Sequence, residues 1–253
     1  MKKSVLFLVL IPFLGVAQVK NTSKKPKTKT TVPKIKIPTV PSASTTTVIP
    51  GLPDISAGLK EALNNGIAKQ VSKLTLLDGF YKNETVKIPM PEEMSLVEGT
   101  LRKFGMNNIV EDGVKSLNRA AEDAVKEATP VFLNAIKSMN ITDAKSILMG
   151  SQNAATTYLQ TATTKELYAK FSPIVQQSIG KVGADVAWGA LISKYNNLPL
   201  VSKVNPDIND YVTTKALEGV FKMIAVEELN IRTDLKSRTS PLLQNVFGIL
   251  TNK

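Results

Sequence analysis

The sequence predicts an all-α protein whose folded part, residues 54–253, is a single domain of about nine or ten helices. In most segments after residue 54, apolar residues recur at every third or fourth position, which is the spacing of one helix face. Gly, Pro and small polar residues stand at the ends of these segments, where helices begin and end. No segment of any length alternates apolar and polar residues as a strand does.

Five helices are predicted in the first part of the domain. Asp54, Thr129 and Thr142 are placed to cap three of them, and Pro91 suits the first turn of another. Gly150 is placed to end the fifth helix. The predicted ranges are 54–77, 91–104, 107–128, 131–139 and 142–149.

Five more helices are predicted after residue 150. Thr163 and Glu166 have the spacing of a capping box, which predicts a new helix at that point, and Pro173 is expected to kink it. Thr213 or Thr214 is expected to cap the penultimate helix, and Ser240-Pro241 the last one. The predicted ranges are 152–161, 163–180, 183–195, 213–229 and 242–250.

The N-terminal region has the pattern of an export signal followed by a linker. Lys2 and Lys3 precede an apolar run of about twelve residues and the small-residue ending Gly15-Val16-Ala17, so residues 1–17 are predicted to be a cleavable signal peptide. Residues 18–53 are rich in Lys, Pro and Thr, which predicts a disordered basic tether. We therefore expect an exported protein, periplasmic or associated with the outer membrane, and soluble after cleavage. The tether is either a solvated spacer or a peripheral contact with anionic surfaces.

Charge and missing residue types exclude several classes of function. Residues 1–53 hold nine Lys and no acidic residue, so most of the net charge of +11 lies there. The nearly neutral remainder is not expected to bind nucleic acid. Because the chain has no His and no Cys, it lacks the ligands of a thiolate or histidine zinc site and the members of a Ser-His-Asp triad. No metal, cofactor or catalytic residue is predicted.

Two helical polar clusters and one irregular segment are the candidate binding features. Arg is rare in this chain, and its planar fork suits an anionic ligand or a carboxylate partner. Arg119 therefore has two interpretations, a ligand contact or a salt bridge between helices, and so does Arg232 beside Glu228. The segment Gly79–Pro91 is predicted to be irregular, and its aromatics could line a pocket with Tyr158, Tyr168, Trp188, Tyr195 and Asn196. The candidate ligand-binding residues are Phe80, Tyr81, Asn118, Arg119, Glu122 and Arg232.

Further charged residues have simpler explanations. The adjacent carboxylates of Glu92-Glu93 and Glu227-Glu228 point about 100° apart on a helix, so neither pair converges on one atom. Ion pairs four residues apart on the penultimate helix are predicted between Glu218 and Lys222 and between Glu228 and Arg232.

Several short strings of the sequence fall in an order that resembles a known family. They are GLKEAL at 58–63, DGFY at 78–81, IPMPE at 88–92, LNRAAE at 117–122, AATTYL at 154–159, FSPIV at 171–175, YVT at 211–213, ALEGVF at 216–221, and Glu227-Glu228 with Ile231-Arg232. In this order, over essentially all of residues 54–250, the chain resembles the bacterial family catalogued as domain of unknown function 4197. The resemblance implies an exported helical envelope protein and no assigned activity. Some members carry a lipoprotein cysteine, which this chain lacks.

Three functional hypotheses follow. The first is non-enzymatic binding of an envelope partner protein or of an apolar or amphipathic small ligand between the helices. The alternative is a carboxylate-dependent hydrolase acting on a cell-envelope polymer, which requires two carboxylates from separate helices across a cleft. The third is an architectural envelope protein that its basic tail localises.

Overall fold

The computed structural model describes residues 51–181 and 207–248, with Gly183, Asp185, Ser193, Asn196, Asn197 and Asn205 between them. Within these residues the chain is all-helical, without a strand, as predicted. The described α-helices are α1 (Leu52–Leu74), α2 (Ser95–Lys103), α3 (Asn107–Ala124), α4 (Ala128–Ser138), α5 (Ile141–Met149), α6 (Ala154–Gly180), α7 (Ile208–Thr233) and α8 (Pro241–Gly248).

The two longest helices, α6 and α7, form the centre of the domain. They pack against each other, and α3 packs against both. Helix α1 contacts α4, α5, α7 and α8. Phe132 of α4 and Phe221 of α7 meet edge to face at 5.9 Å between ring centroids, while Phe171 and Leu159 of α6 are fully buried. The apolar stripes read from the sequence therefore converge on one core.

The predicted start of a new helix at Thr163 is wrong. The helices expected at 152–161 and 163–180 are one continuous helix that also passes through Pro173. Thr163 is buried, and its hydroxyl donates to the carbonyl of Leu159 at 2.6 Å, so it bonds within the helix instead of capping a new one. The predicted helix at 183–195 lies mostly outside the described residues. The count of nine or ten is thus not confirmed.

Other helices also begin earlier than predicted. Helix α4 begins at Ala128, so Thr129 lies inside the helix and does not cap it. Helix α7 begins after Asp207, whose carboxylate accepts hydrogen bonds from two backbone amides of the first turn, and Thr213 is buried inside the helix. Helix α5 begins after Asn140, which forms a capping box with Asp143, and not at Thr142. Where several small polar residues are adjacent, the sequence pattern does not decide which one caps the helix.

Other predicted boundaries are confirmed. Helix α3 begins at Asn107, Gly150 ends α5, and the Ser240 hydroxyl accepts a hydrogen bond from the first turn of α8. The predicted start of α1 is wrong by two residues: the helix begins at Leu52, and Asp54 lies in its first turn, where its carboxylate accepts from the Gly51 amide.

The predicted signal peptide and nearly all of the predicted tether, residues 1–50, lie outside the described residues. None of the helices in the described part of the chain combines the length and the apolar character needed to cross a bilayer.

A buried glycine of α7 permits a close contact with the segment between α1 and α2. A Cβ atom at Gly219 would lie 2.8 Å from Cε1 of Phe80, whose ring is fully buried. We expect Gly219→Ala to lower the free energy of unfolding by about 1–3 kcal/mol, measured by urea denaturation. Gly99 of α2 has open space at the same position, so Gly99→Ala should stabilise by about 0.5–1 kcal/mol. If both substitutions stabilise the protein, Phe80 does not pack on α7 as described.

Candidate functional site

The irregular segment between α1 and α2 is hydrogen-bonded to α3 through Asn118. The Asn118 amide is fully buried, accepts from the backbone N–H of Ile88 at 2.8 Å and donates to the Ile88 carbonyl at 2.8 Å. Its second amide hydrogen is donated to the carbonyl of Val114, also at 2.8 Å. One side chain thereby satisfies both backbone groups of Ile88, in a segment where prolines prevent helix formation.

Glu122, one helical turn after Asn118, holds the other end of the segment. Its Oε1 accepts from the backbone N–H groups of Phe80 and Tyr81 at 3.0 and 3.3 Å. Its Oε2 accepts from Arg119 at 2.5 Å, and Arg119 also donates to Asp78. The hydrogen bond from this guanidinium, together with one from Lys82, lowers the pKa of Asp78. Asp78 has a left-handed backbone, with φ of 69°, which turns the chain out of α1.

Tyr81 lies between charged groups at the edge of this contact. Its hydroxyl donates to Glu111 at 3.2 Å, and its ring is approached by Lys87 at 5.0 Å and by Arg119 at 5.8 Å. Hydrogen bonding to Arg102 lowers the pKa of Glu111, while burial raises the pKa of Tyr81. We call the contact formed by Phe80, Tyr81, Asn118, Arg119 and Glu122 the loop joint.

The loop joint contains five of the six predicted ligand-binding residues. The hydrogen bonds described for Asn118 and Glu122 are directed to the protein's own chain, and the Phe80 ring belongs to the core. Arg119 forms salt bridges, but they do not join two helices as predicted: Asp78 lies in the segment between α1 and α2, and Glu122 lies on the same helix as Arg119. Ligand binding at these residues stays a prediction.

The sixth residue, Arg232, lies in a separate cluster where α5 ends and α6 begins. Its guanidinium donates to the carbonyls of Ile147 and Leu148 at 2.8 and 3.0 Å, and to Glu228 at 2.9 and 3.0 Å. The predicted pair between Glu228 and Arg232 is therefore confirmed. Both side chains are 6% exposed.

Glu228, the partner of Arg232, accepts hydrogen bonds from the first residues of α6. It accepts from the backbone N–H groups of Ala155 and Thr156 at 3.0 and 2.8 Å and from the Thr156 hydroxyl at 2.8 Å. The ion pair thus places a carboxylate at the amide end of one helix and a guanidinium at the carbonyl end of another. Both arrangements match the helix dipoles and supply partners to terminal backbone groups. We call this cluster the helix junction.

Glu227 points away from Glu228 and towards α1. It accepts from Lys69 and from Gln70, each at 2.6 Å. A cavity of about 20 Å³ lies beside it, between α1 and α7. A space of that size holds a single water molecule, so this cavity is too small for an apolar ligand.

A much larger cleft opens between residues 85–93 and α7. Its volume is about 450 Å³, which is in the range of ligand-binding pockets. One wall is the extended run Ile88-Pro89-Met90-Pro91, which the loop joint holds in place. The charged and aromatic residues that line the cleft are Lys87, Glu92, Glu93, Tyr211, Lys215, Glu218 and Lys222.

Tyr211 lies where α7 meets the extended wall. Its hydroxyl donates to the Pro89 carbonyl at 3.2 Å. Burial, together with the charges of Glu93, Glu218 and Glu92, raises the pKa of Tyr211 to about 12. The hydroxyl therefore remains a hydrogen-bond donor well above neutral pH. Glu218 pairs with Lys215 at 2.7 Å, so its predicted pairing with Lys222 is wrong.

Sequence reasoning identified the extended wall of the cleft but missed Tyr211 and the charges of α7. The available signal was Gly219, a glycine in the middle of a strong helix, which indicates close approach of another segment. Of the aromatics expected to join the pocket, Tyr168 bonds Asp210 at 2.6 Å and is not among the cleft residues. Trp188 and Tyr195 lie outside the described residues. Within the described ranges, no cluster of three or more Asp or Glu residues could hold a metal ion.

Comparison with known proteins adds one match. A family model described as "Protein of unknown function (DUF4197)" matches residues 51–248, which is well over half of the chain. No curated protein and no solved structure matches the sequence.

Proposed function

Because this chain belongs to the DUF4197 family of proteins of unknown function, we propose its function from its own geometry: it is a non-enzymatic binding protein of the cell envelope. The cleft between residues 85–93 and α7 binds an extended segment of a partner protein. The observation that carries this proposal is an open cleft of about 450 Å³ with an extended apolar and proline-containing wall and charges of both signs at its rim.

The preorganisation of the cleft wall supports this proposal. Asn118 and Glu122 together bond the backbone of Phe80, Tyr81 and Ile88, so the segment is ordered before a partner arrives. A partner then does not have to supply the free energy of ordering that loop. Residues on loops held by a rigid scaffold are well suited to recognition.

The size of the interior favours a partner segment over a small apolar ligand between the helices. The cavity beside Glu227 is about 20 Å³, while a ligand of ordinary size needs several hundred Å³, on the order of 300 or more. The cleft has the required volume, but Lys87, Lys222 and Glu93 at its rim suit a peptide with polar groups better than a purely apolar molecule.

The compartment is part of the proposal and rests on the sequence. The charged start, short apolar run and small-residue ending of residues 1–17 are those of a signal peptide. The partner is accordingly proposed to be another envelope protein, met outside the cytoplasm. The basic residues of 18–53 serve as a tether that sets the reach of the domain.

Selection of peptides from a displayed random library on the full chain tests the proposal. Peptides enriched on the wild-type protein are then labelled, and their Kd values are measured by fluorescence anisotropy. Reversing a cleft charge with Lys222→Glu should weaken their binding by about tenfold or more. The matched control is Lys170→Glu, which reverses an exposed lysine on α6, and it should leave Kd within about twofold. Equal binding to both variants, or no enrichment on the wild type, would overturn the proposal.

One specific observation supports the alternative hypothesis, a carboxylate-dependent hydrolase. Glu92 and Glu93 reach the cleft from one segment and Glu218 reaches it from α7, as a two-carboxylate site requires. If this reading holds, the wild-type chain releases soluble fragments from a purified envelope polymer, and Glu218→Gln lowers the rate by about a hundredfold or more. Glu166→Gln, an exposed residue on α6, should leave the rate unchanged. An absence of released fragments would exclude hydrolysis of the polymer tested.

A further inference from the structure

We propose that the turn between α2 and α3 inserts into an anionic lipid surface. The turn projects three large apolar side chains, Phe104, Met106 and Ile109, which we call the apolar tip. This proposal does not depend on the cleft, because none of these residues lines it.

The three side chains of the apolar tip are large and apolar, yet all of them are exposed. Phe104 is 76% exposed, Ile109 is 61% and Met106 is 45%. Helix α2 ends at Lys103 and α3 begins at Asn107. All three side chains therefore belong to the six residues 104–109, at the tight connection between the two helices. Gly105 has φ of 77°, the left-handed backbone that lets the chain reverse there. Apolar groups concentrated on one projecting turn mark an interaction surface.

The charges around the apolar tip suit a membrane surface. From Lys103 to Val110 the sequence contains one lysine and no acidic residue. The nearest acidic groups on either side, Glu98 and Glu111, are each paired with Arg102 at 2.8 Å. The apolar tip itself therefore carries no carboxylate. The next acidic residue along α3, Asp112, is exposed and is followed one turn later by Lys115. The amides of Asn107 and Asn108 are suited to the polar interface beside the apolar side chains.

A second membrane signal is present in the same chain. Residues 18–53, which follow the predicted cleavage site, contain seven lysines and no acidic residue, and such segments are attracted to anionic lipid. A few apolar side chains alone give only weak and reversible membrane binding, and stable attachment requires a second signal such as a basic cluster. The charge of the N-terminal segment matches an anionic lipid surface and does not by itself select a particular protein. This complementarity is the reason for assigning the tip to lipid.

The absence of cysteine from the sequence allows a direct test. A single Phe104→Cys substitution in the full chain is labelled with the environment-sensitive fluorophore NBD. The control is Leu77→Cys, at a leucine that is equally exposed, 76% for both residues, but lies after α1. Both proteins are mixed with vesicles of phosphatidylglycerol and phosphatidylcholine in equal parts, and with vesicles of phosphatidylcholine alone.

The expected result is a blue shift and an increase in emission at position 104, but not at 77, on vesicles that contain phosphatidylglycerol. Nitroxide-labelled acyl chains should then quench the label at 104. In vesicle sedimentation, the unlabelled triple variant Phe104→Ser, Met106→Ser, Ile109→Ser should bind about tenfold less than the double variant Leu76→Ser, Leu77→Ser. Equal changes at 104 and 77 would overturn the proposal. The proposal would also be overturned if the emission of the label at 104 did not change with lipid and changed only with protein concentration. That result would assign the apolar tip to a contact between two copies of the chain.

Discussion

Replacing Arg232 with Met is expected to lower the free energy of unfolding by about 3–5 kcal/mol, because it leaves Glu228 charged and buried at the helix junction. The substitution also removes the donors that bond the carbonyls of Ile147 and Leu148 at the end of α5. Methionine retains most of the side-chain length, so the loss reports on charge and hydrogen bonds more than on packing. Urea denaturation followed by circular dichroism measures the change.

The matched control is Lys126→Met. Lys126 pairs with Asp123 at 2.7 Å, but the two side chains are 57% and 49% exposed, so its removal should cost less than about 1 kcal/mol. Adding Glu228→Gln to Arg232→Met should recover part of the lost stability, because no uncompensated charge is then buried. Equal losses for Arg232→Met and Lys126→Met would mean that the helix junction is solvated in solution.

Asn118→Leu is expected to lower the free energy of unfolding by about 2–5 kcal/mol, because it leaves both backbone groups of Ile88 without their partner. Leucine has a similar volume, so the side chain can still fill the buried site. The local consequence should be larger than the global one. Hydrogen exchange at the Ile88 amide should accelerate more than exchange in the centre of α6, since the segment can open while the core remains folded.

The same variant tests how the cleft wall is held. Asn118 is not among the residues that line the cleft, yet Asn118→Leu should weaken binding of the selected peptides, since the wall is no longer preorganised. Asn134→Leu is the control, because Asn134 is exposed on α4 and its replacement should change stability by less than about 0.5 kcal/mol. Unchanged exchange at Ile88 would show that the segment does not depend on Asn118.

The loop joint and the helix junction explain two of the strings that identified the family resemblance. In the string at 117–122, Asn118 and Glu122 face the irregular segment, and the alanines between them are fully buried. At 227–232, Glu228 and Arg232 meet the ends of α5 and α6, while Glu227 bonds α1. In both places a charged or amide side chain supplies a hydrogen-bond partner to a backbone group that would otherwise have none.

Helix boundaries could be predicted where a single residue type decides them. Gly150 ends α5, because glycine is favoured just after the last turn of a helix. Helix α8 begins at Pro241, because proline suits the first helical position and the Ser240 hydroxyl caps the first turn. The start of α7 could not be predicted in this way. Asp207 and Thr213 are both good caps by type, and the choice depends on Thr213 being buried inside the domain.

The amino-acid sequence by itself determined the helical class and most helix positions, because the three-to-four spacing of apolar residues is a local property of the chain. It also determined the absence of thiol and imidazole chemistry, which is a matter of composition. Only the tertiary structure decided that Thr163 continues a helix, that Asn118, Glu122 and Arg232 bond the protein's own backbone, and that Tyr211 faces the irregular segment. These outcomes depend on residues that are up to 122 positions apart in the chain. A polar side chain carries the same local pattern whether its partner is a distant carbonyl, a ligand or water, so the distinction arises only when the helices pack.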